Sequence, residues 1–203
     1  MEIDYATLTP HERYKLLVAA VTPRPIALVS TADLEGRYNV APFSFFNAIS
    51  DDPPAVAIGV NSSRPGHVKD TARNIRSSGE FVVNLVDDSI AAGMNQCGVD
   101  YPPDVDEFDL AGFTPLPGVK VAAPRVAQAP IALECRRLVN VELGIGRNVV
   151  IGEVVYMHVR DELFDPEKLY IHAERAGLIG RMHGAGWYAR TTDLFNMPRA
   201  TGS

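Results

Sequence analysis

The distribution of apolar and polar residues along the chain predicts many short strands and few helices. Apolar, β-rich segments alternate with clusters of Asp, Gly, Pro and Asn that favour turns. The predicted strands cover residues 26–31, 37–40, 44–50, 55–60, 80–86, 131–143 and 149–159. A hairpin tip at 144–148 joins the two longest of them. Strands of this number and spacing predict a mainly β fold, a closed or partly closed antiparallel barrel with a few peripheral helices.

Helix signals are confined to short segments. Thr9, Pro10 and Glu12 have the spacing of a capping box with proline at the first helical position, so a helix should run from there towards Ala20. Two further short helices are predicted over residues 67–77 and 89–96, and the first of them should end at a glycine.

Residues 98–124 are rich in Pro, Asp and Gly and predict a long loop excursion with little regular structure. Their aromatic and aliphatic side chains suggest that the excursion packs on the body of the protein or on a partner. We therefore expect a single domain over residues 1–203, with an N-terminal helical arm at 1–20 and a flexible tail at 196–203.

Composition narrows the class of protein. The 203 residues are 46% hydrophobic and carry a formal net charge of −6, which argues against a nucleic-acid partner. The two cysteines, Cys97 and Cys135, form no CxxC motif, as expected of reduced thiols in the cytosol. Residues 1–14 do not resemble a signal peptide, and no apolar run is long enough for a membrane helix. We expect a cytoplasmic protein without a membrane partner.

Several common catalytic motifs are missing from the sequence. It contains no P-loop, no GxSxG nucleophile elbow and no HExxH zinc motif. His172 and Glu174 match the H-x-E of zinc deaminases, but no PCxxC follows them. The spacing of the five histidines does not indicate a zinc site either, so no metal is predicted.

The first segment with candidate chemistry spans residues 24–31 and 39–47. Small residues such as Ala41 and Ser44 mix there with aromatic residues and Pro42. Such a strand edge lets a flat ring approach backbone N–H groups while apolar walls exclude water. The alternative is an ordinary β-core with an edge strand that proline interrupts.

The second segment, residues 61–71, combines hydroxyl side chains, Arg64 and a predicted helix start. Free N–H groups at a helix N-terminus attract phosphate, and Ser, Thr, Arg and Lys side chains complete such a site. Lys69, Arg73 and Arg76 are spaced to lie on one helical face. The alternative is a solvated helix face beside an ordinary loop.

The third segment, residues 181–188, places glycines beside the only tryptophan, Trp187, and beside Tyr188. A flexible, aromatic-lined segment of this kind could cover a ring. A turn that anchors the tail through two aromatic side chains would give the same pattern.

These segments together resemble the flavin reductase-like, FMN-binding split-barrel family, in particular its flavoredoxin-like branch. The matching stretches are RPIALVSTADLEGRYNVAPFSFFNAISDDPPAVAIGV (24–60), SRPGHVKDTARNI (63–75), EFVVNLV (80–86), GEVVYMHV (152–159) and GRMHGAGWYARTTDLF (180–195). They occur in the order typical of the family and span most of the chain.

The resemblance implies a six-stranded antiparallel split barrel that binds one FMN per subunit, in a homodimer with the flavin near the interface. It implies that the ring and ribityl chain contact Asn39, Ala41, Pro42, Phe43, Ser44 and Asn47. It places the phosphate at Ser63, Arg64, Lys69 and Thr71, and a further contact region at Arg181, Trp187 and Tyr188. Arg24, Ser30, Phe45 and Ser62 complete the predicted cofactor-binding set. The sequence departs from the family pattern at Met182, His183 and Ala185.

The function implied is that of an FMN-dependent oxidoreductase similar to NAD(P)H:flavin reductases, with hydride passing from nicotinamide to N5 of the flavin. Free flavin or a protein partner would then accept the electrons. Because the flavin carries the chemistry, no catalytic side chain is predicted, and His183 is only a hypothetical proton relay. Two alternatives remain: an electron carrier with tightly bound FMN, and a non-catalytic flavin-binding protein.

Overall fold

A computed structural model describes residues 1–62, 64, 66–102 and 105–198. Within these residues the α-helices are α1 (Pro10–Ala20), α2 (Asp70–Ser78), α3 (Ala91–Gln96) and α4 (Glu107–Ala111). Single 3-10 turns lie at Tyr5–Thr7, Asp88–Ile90, Asp161–Leu163 and Ala173–Arg175. The strands are β1 (Arg24–Pro25), β2 (Ala27–Ala32), β3 (Tyr38–Phe43), β4 (Phe46–Asp51), β5 (Pro54–Asn61), β6 (Glu80–Leu85), β7 (Pro115–Leu116), β8 (Arg125–Val126), β9 (Ile131–Gly144), β10 (Arg147–Val159), β11 (Phe164–Asp165), β12 (Tyr170–Ile171), β13 (Ile179–Arg181) and β14 (Tyr188–Arg190).

Seven strands form the main sheet in the order β3-β2-β6-β9-β10-β5-β4, and each neighbouring pair is antiparallel. The sequence pattern predicts these seven strands, whereas the number of six that the resemblance implies is wrong for this sheet, in which β4 pairs with β5 at the far edge. Small sheets of β1-β13-β14, β7-β8 and β11-β12 surround the main one.

The link between β3 and β4 closes this sheet into a barrel. These two strands are its opposite edges, yet only Ser44 and Phe45 separate them in the chain. Three residue steps span at most about 11 Å, so the two edges must approach each other. The backbone N–H of Gly59 in β5 donates to the carbonyl of Phe45 at 2.7 Å and fixes the link.

Strand β2 is buried on both of its faces, because it separates two apolar clusters. Ala27 and Val29 face the barrel interior, where the core also receives Ile75 from α2. Ile26 and Leu28 face outward into a second cluster. This alternation follows the two-residue period of a strand. Helices α3 and α4 therefore cover the outer face of β2, whereas α2 packs on the interior core.

The helix predictions are confirmed in kind, and two starts move. Helix α3 begins at Ala91, after a 3-10 turn, instead of at residue 89. Helix α1 has both bonds of the capping box, from the N–H of Thr9 to Glu12 Oε2 at 2.8 Å and from the N–H of Glu12 to Thr9 Oγ1 at 3.4 Å. Helix α2 begins at Asp70, three residues later than expected, because the backbone of Lys69 is extended. Lys69 therefore does not share a helical face with Arg73. Gly79 ends the helix at φ +75°, as predicted.

The excursion over residues 98–124 contains helix α4 and strand β7, which its composition did not indicate. It packs on the body as expected, because Phe108 and Phe113 are buried in the outer cluster. A second anchor is the fully buried Glu134 carboxylate of β9. It accepts the N–H groups of Val119, Lys120 and Val121 at 2.7, 2.6 and 3.1 Å.

None of the helices described between residues 1 and 198 is long and apolar enough to cross a membrane. The predicted tail extends beyond the described residues, which end at Pro198.

Candidate functional site

A groove runs beside β3, and two adjoining cavities form it. The first, of about 270 Å³, is lined by Asn39 and Ala41 of β3 and continues to the start of α2. The second, of about 450 Å³, is lined by Pro42, Phe43 and Ser44, the end of the same strand. Val99 borders both cavities, so we treat them as one β3 groove with a polar end and a ring end.

Strand β3 is suited to this position because it is an edge of the sheet. An edge strand pairs on one side only, so backbone groups on the other side can bind a ligand. Pro42 lacks an N–H, which an edge strand tolerates better than a central strand does. An edge strand that contains a proline is therefore compatible with the predicted binding of a flat ring along β3.

The polar end of the groove holds two cations on one carboxylate. Lys69 Nζ lies 3.0 Å from Asp100 Oδ1, and Arg64 Nε lies 3.3 Å from Asp100 Oδ2. The hydrogen bond from Lys69 is the main cause that lowers the pKa of Asp100, and the charge of Arg64 adds to it. The backbone N–H groups of the first turn of α2 begin beside Lys69, whose side chain does not cap them.

Buried side-chain hydrogen bonds hold the polar end against β3. Asn39 Nδ2 donates to Thr71 Oγ1 at 3.1 Å, and Asn74 Nδ2 donates to Thr31 Oγ1 at 3.0 Å. Both bonds join α2 to the β2–β3 hairpin. The start of the helix is therefore fixed relative to the strand, which an anion site needs in order to be preorganised.

The ring end is completed by the hairpin of β13 and β14 and by α3. Arg181 and Tyr188 are paired across the hairpin, and the guanidinium carbon of Arg181 lies 4.6 Å from the centre of the Tyr188 ring. Both residues line the ring end, as do Met94 and Asn95 of α3. The structure thus places two of the three predicted C-terminal residues in the groove.

Arg24 lies behind the groove. Its buried guanidinium donates to the carbonyls of Val18 at 2.6 Å and Met182 at 3.1 Å, and also to that of Val21. A longer contact of 3.5 Å reaches Ser44 Oγ. Burial lowers the pKa of Arg24. The side chain therefore joins α1 to the residues that directly follow β13 and β3, and it supports the ring end from behind.

Ser30 and Ser62 are also bonded within the protein. Ser30 is fully buried, donates to the carbonyl of Pro124 and accepts from Asn84 Nδ2 at 3.0 Å. Ser62 Oγ accepts the N–H of Arg64 at 3.1 Å in a tight turn. Neither hydroxyl lines the groove.

Three other predicted residues lie elsewhere. Phe45 is the closing link of the barrel, and Asn47 lines an apolar cavity of about 410 Å³ beside β1. Trp187 is 63% exposed and its ring is parallel to that of His183, with centres 6.1 Å apart. Ser63 lies outside the described residues.

The excursion also supplies groove residues that no sequence motif indicated. Asp100, Tyr101 and Glu107 line the polar end. Burial raises the pKa of Glu107, and the neighbouring carboxylates act in the same direction. Their only signal was a run of acidic residues in a segment interpreted as a loop. No group of three potential metal ligands occurs among the residues that the structure describes.

Comparison with known proteins agrees with the fold. The family model for the flavin reductase like domain matches residues 19–178. The 2-nitrobenzoate 2-nitroreductase of Pseudomonas fluorescens is 38% identical, with a TM-score of 0.91 over 99% of this chain and 97% of that one. Nitrilotriacetate monooxygenase component B from Bacillus cereus is 35% identical, with a TM-score of 0.91 over 97% and 98%. A split barrel protein from Shewanella frigidimarina, 24% identical, has a TM-score of 0.83 over 98% and 100% and shares the fold.

Proposed function

Because this chain belongs to the flavin reductase-like family and is thereby a flavin-related oxidoreductase, we propose that it binds FMN in the β3 groove and takes hydride from NADH or NADPH. The observation that carries this proposal is the pair of cations, Arg64 and Lys69, at one end of a groove that continues along an edge strand. A phosphate at one end and a flat ring at the other would suit that arrangement.

The residues present fit a flavin mononucleotide. Arg64 and Lys69 supply charge-assisted donors for a phosphate, and the first turn of α2 supplies backbone N–H groups beside them. Pro42 and Phe43 offer an apolar wall at the ring end. The two cavities together are within the range of a few hundred to about 1,000 Å³ that is usual for small-molecule sites.

When bound, the flavin supplies the hydride and electron chemistry itself. The chain would contribute binding, orientation and exclusion of water. Backbone N–H groups around the end of β3 would stabilise negative charge on the ring, and Arg24 would hold that strand end through Ser44. His183 stacks beside Trp187 and lines neither cavity, so we assign it no step.

A nitroaromatic acid is a second candidate for the electron acceptor. The similarity to the Pseudomonas fluorescens 2-nitrobenzoate 2-nitroreductase favours it, since that match covers nearly all of both chains. Arg181 at the ring end could pair with a carboxylate of such a substrate. Free flavin or a protein partner would be the acceptor if the chain instead supplies reduced flavin to another component.

We also propose a homodimer. Strands β9 and β10 carry several large apolar side chains that are more than a third exposed, namely Leu138, Val139, Val141, Leu143, Tyr156 and Met157. Large apolar side chains that are exposed in this number on one pair of strands would be covered in a dimer. Sedimentation equilibrium should give twice the chain mass of 22.1 kDa, whereas a monomer across the micromolar range would contradict the proposal.

The proposed reaction is tested by an anaerobic titration of the purified protein with FMN and then with NADH or NADPH. We expect the visible flavin absorbance to shift on binding and to bleach when the nicotinamide is added. Bound flavin that does not bleach would favour an electron carrier or a non-catalytic flavin protein. A protein that takes up no FMN would overturn the proposal.

A further inference from the structure

We propose that Asp100 is an internal competitor for the flavin phosphate, which weakens the binding of FMN and keeps it exchangeable. The inference rests on the proposed function of the β3 groove. It concerns a residue that the sequence analysis did not include in the site, and it determines whether the flavin is a diffusing substrate or a resident cofactor.

The first observation is the geometry of the carboxylate. Each oxygen of Asp100 holds a different cation, Lys69 at 3.0 Å and Arg64 at 3.3 Å. Two oxygens of a phosphate monoester would need the same two donors. A carboxylate and a phosphate cannot share those positions, because both are negative and would lie within a few ångströms of each other. The phosphate must therefore displace Asp100 or bind with fewer contacts.

The second observation is that the other two arginines near the polar end are already paired. Arg73 Nη2 lies 2.5 Å from Asp70 Oδ1, and Arg76 pairs with Glu142 on β9. The net positive charge that a phosphate could use at this end therefore comes from Arg64 and Lys69. Asp100 neutralises about one of those two charges.

The third observation is that the exchange of partners is feasible. The side chain of Asp100 is 30% exposed, and those of Lys69 and Arg64 are 25% and 58% exposed. Ion pairs with this access to water contribute little to stability, so breaking them costs little. Asp100 also follows Val99, the residue that borders both cavities, and a displaced carboxylate has solvent beside it.

The test measures FMN and riboflavin binding to the full chain by fluorescence titration, for the wild type, D100N and D100S. Riboflavin lacks the phosphate and reports on the ring end alone. D88N is the matched control, because Asp88 also pairs with an arginine, Arg190 at 2.9 Å, but lines neither cavity of the groove. Circular dichroism and a thermal melt establish that each variant is folded.

We expect D100N and D100S to bind FMN about fivefold more tightly than the wild type, since two solvent-exposed ion pairs no longer compete. Riboflavin affinity should change less than about twofold, and D88N should behave as the wild type. FMN affinity that is unchanged or weaker in both folded variants would overturn the proposal and make Asp100 a residue that positions the cations. A wild type that binds neither flavin would instead refute the proposed function, and this inference with it.

Discussion

The strongest prediction concerns the two cations at the polar end of the β3 groove. Replacing both Arg64 and Lys69 by alanine should weaken FMN binding far more than riboflavin binding, because only FMN carries a phosphate. Both side chains lie on the surface of the groove and are 58% and 25% exposed. Their removal should therefore leave the fold intact.

The magnitude follows from their exposure and from Asp100. A hydrogen bond to a charged group contributes about 1.5–3 kcal/mol, and the more exposed Arg64 should fall below this range, at about 1 kcal/mol. With about 2 kcal/mol for Lys69, the two bonds total about 3 kcal/mol. In the wild type the phosphate must first break the ion pairs of these two cations with Asp100, which costs about 1 kcal/mol. The net loss of about 2 kcal/mol corresponds to an approximately 30-fold higher Kd for FMN.

The assay is a fluorescence titration of both flavins at constant ionic strength. The matched control is K168A/R175A, which also removes one lysine and one arginine, here from exposed ion pairs with Asp165 and Glu174. It should change neither affinity by more than about twofold. Equal losses of FMN and riboflavin affinity in R64A/K69A would refute the assignment of the phosphate site.

Three further predictions address the rest of the molecule. Burial alone would raise the pKa of Glu134, but hydrogen bonds from His158 and from backbone N–H groups hold this pKa below its usual value. The ionised carboxylate therefore stabilises the fold above the pKa of the unfolded state. This stabilisation is lost as pH falls through the pKa of the folded state. E134Q should lower the free energy of unfolding, measured by urea titration, by about 3 kcal/mol and make it depend less on pH in the acid range. The same pH dependence in E134Q as in the wild type would contradict this prediction. G152A should destabilise the barrel by about 2 kcal/mol, since its Cβ would lie 2.3 Å from the buried ring of Phe81; an unchanged urea midpoint would argue against that contact. Burial raises the pKa of Cys97 to about 12, so a thiol reagent at pH 8 should modify it only after unfolding, and rapid reaction of the native protein would show that the thiol is accessible.

Short sequence patterns predicted the helices and strands, because the interactions that start and end these elements lie within a few residues of one another. The capping box of Thr9 and Glu12 and the stop at Gly79 depend on residues a few positions apart, and both are observed. The hairpin of β9 and β10 follows from apolar, β-branched runs on either side of a glycine-containing tip. The resemblance to the flavin reductase-like family, which the family match confirms, came from the same local segments.

The sequence by itself also identified ten of the residues that line the groove. Asn39, Ala41, Arg64, Lys69 and Thr71 lie at its polar end, in agreement with the predicted phosphate and ribityl region. Pro42, Phe43, Ser44, Arg181 and Tyr188 lie at its ring end. Which of these residues contact a flavin stays a prediction.

The tertiary structure alone decided which polar side chains remain available. Arg24 and Ser30 are candidate polar ligands in the sequence, as Lys69 is, but the fold bonds both within the protein, to the carbonyls of Val18, Met182 and Pro124. Asp100 lies in the site because the excursion after α3 returns to the start of α2, where Asp100 contacts Lys69, 31 residues earlier in the chain. Such pairings are set by barrel closure and side-chain packing between distant segments, so no local pattern encodes them.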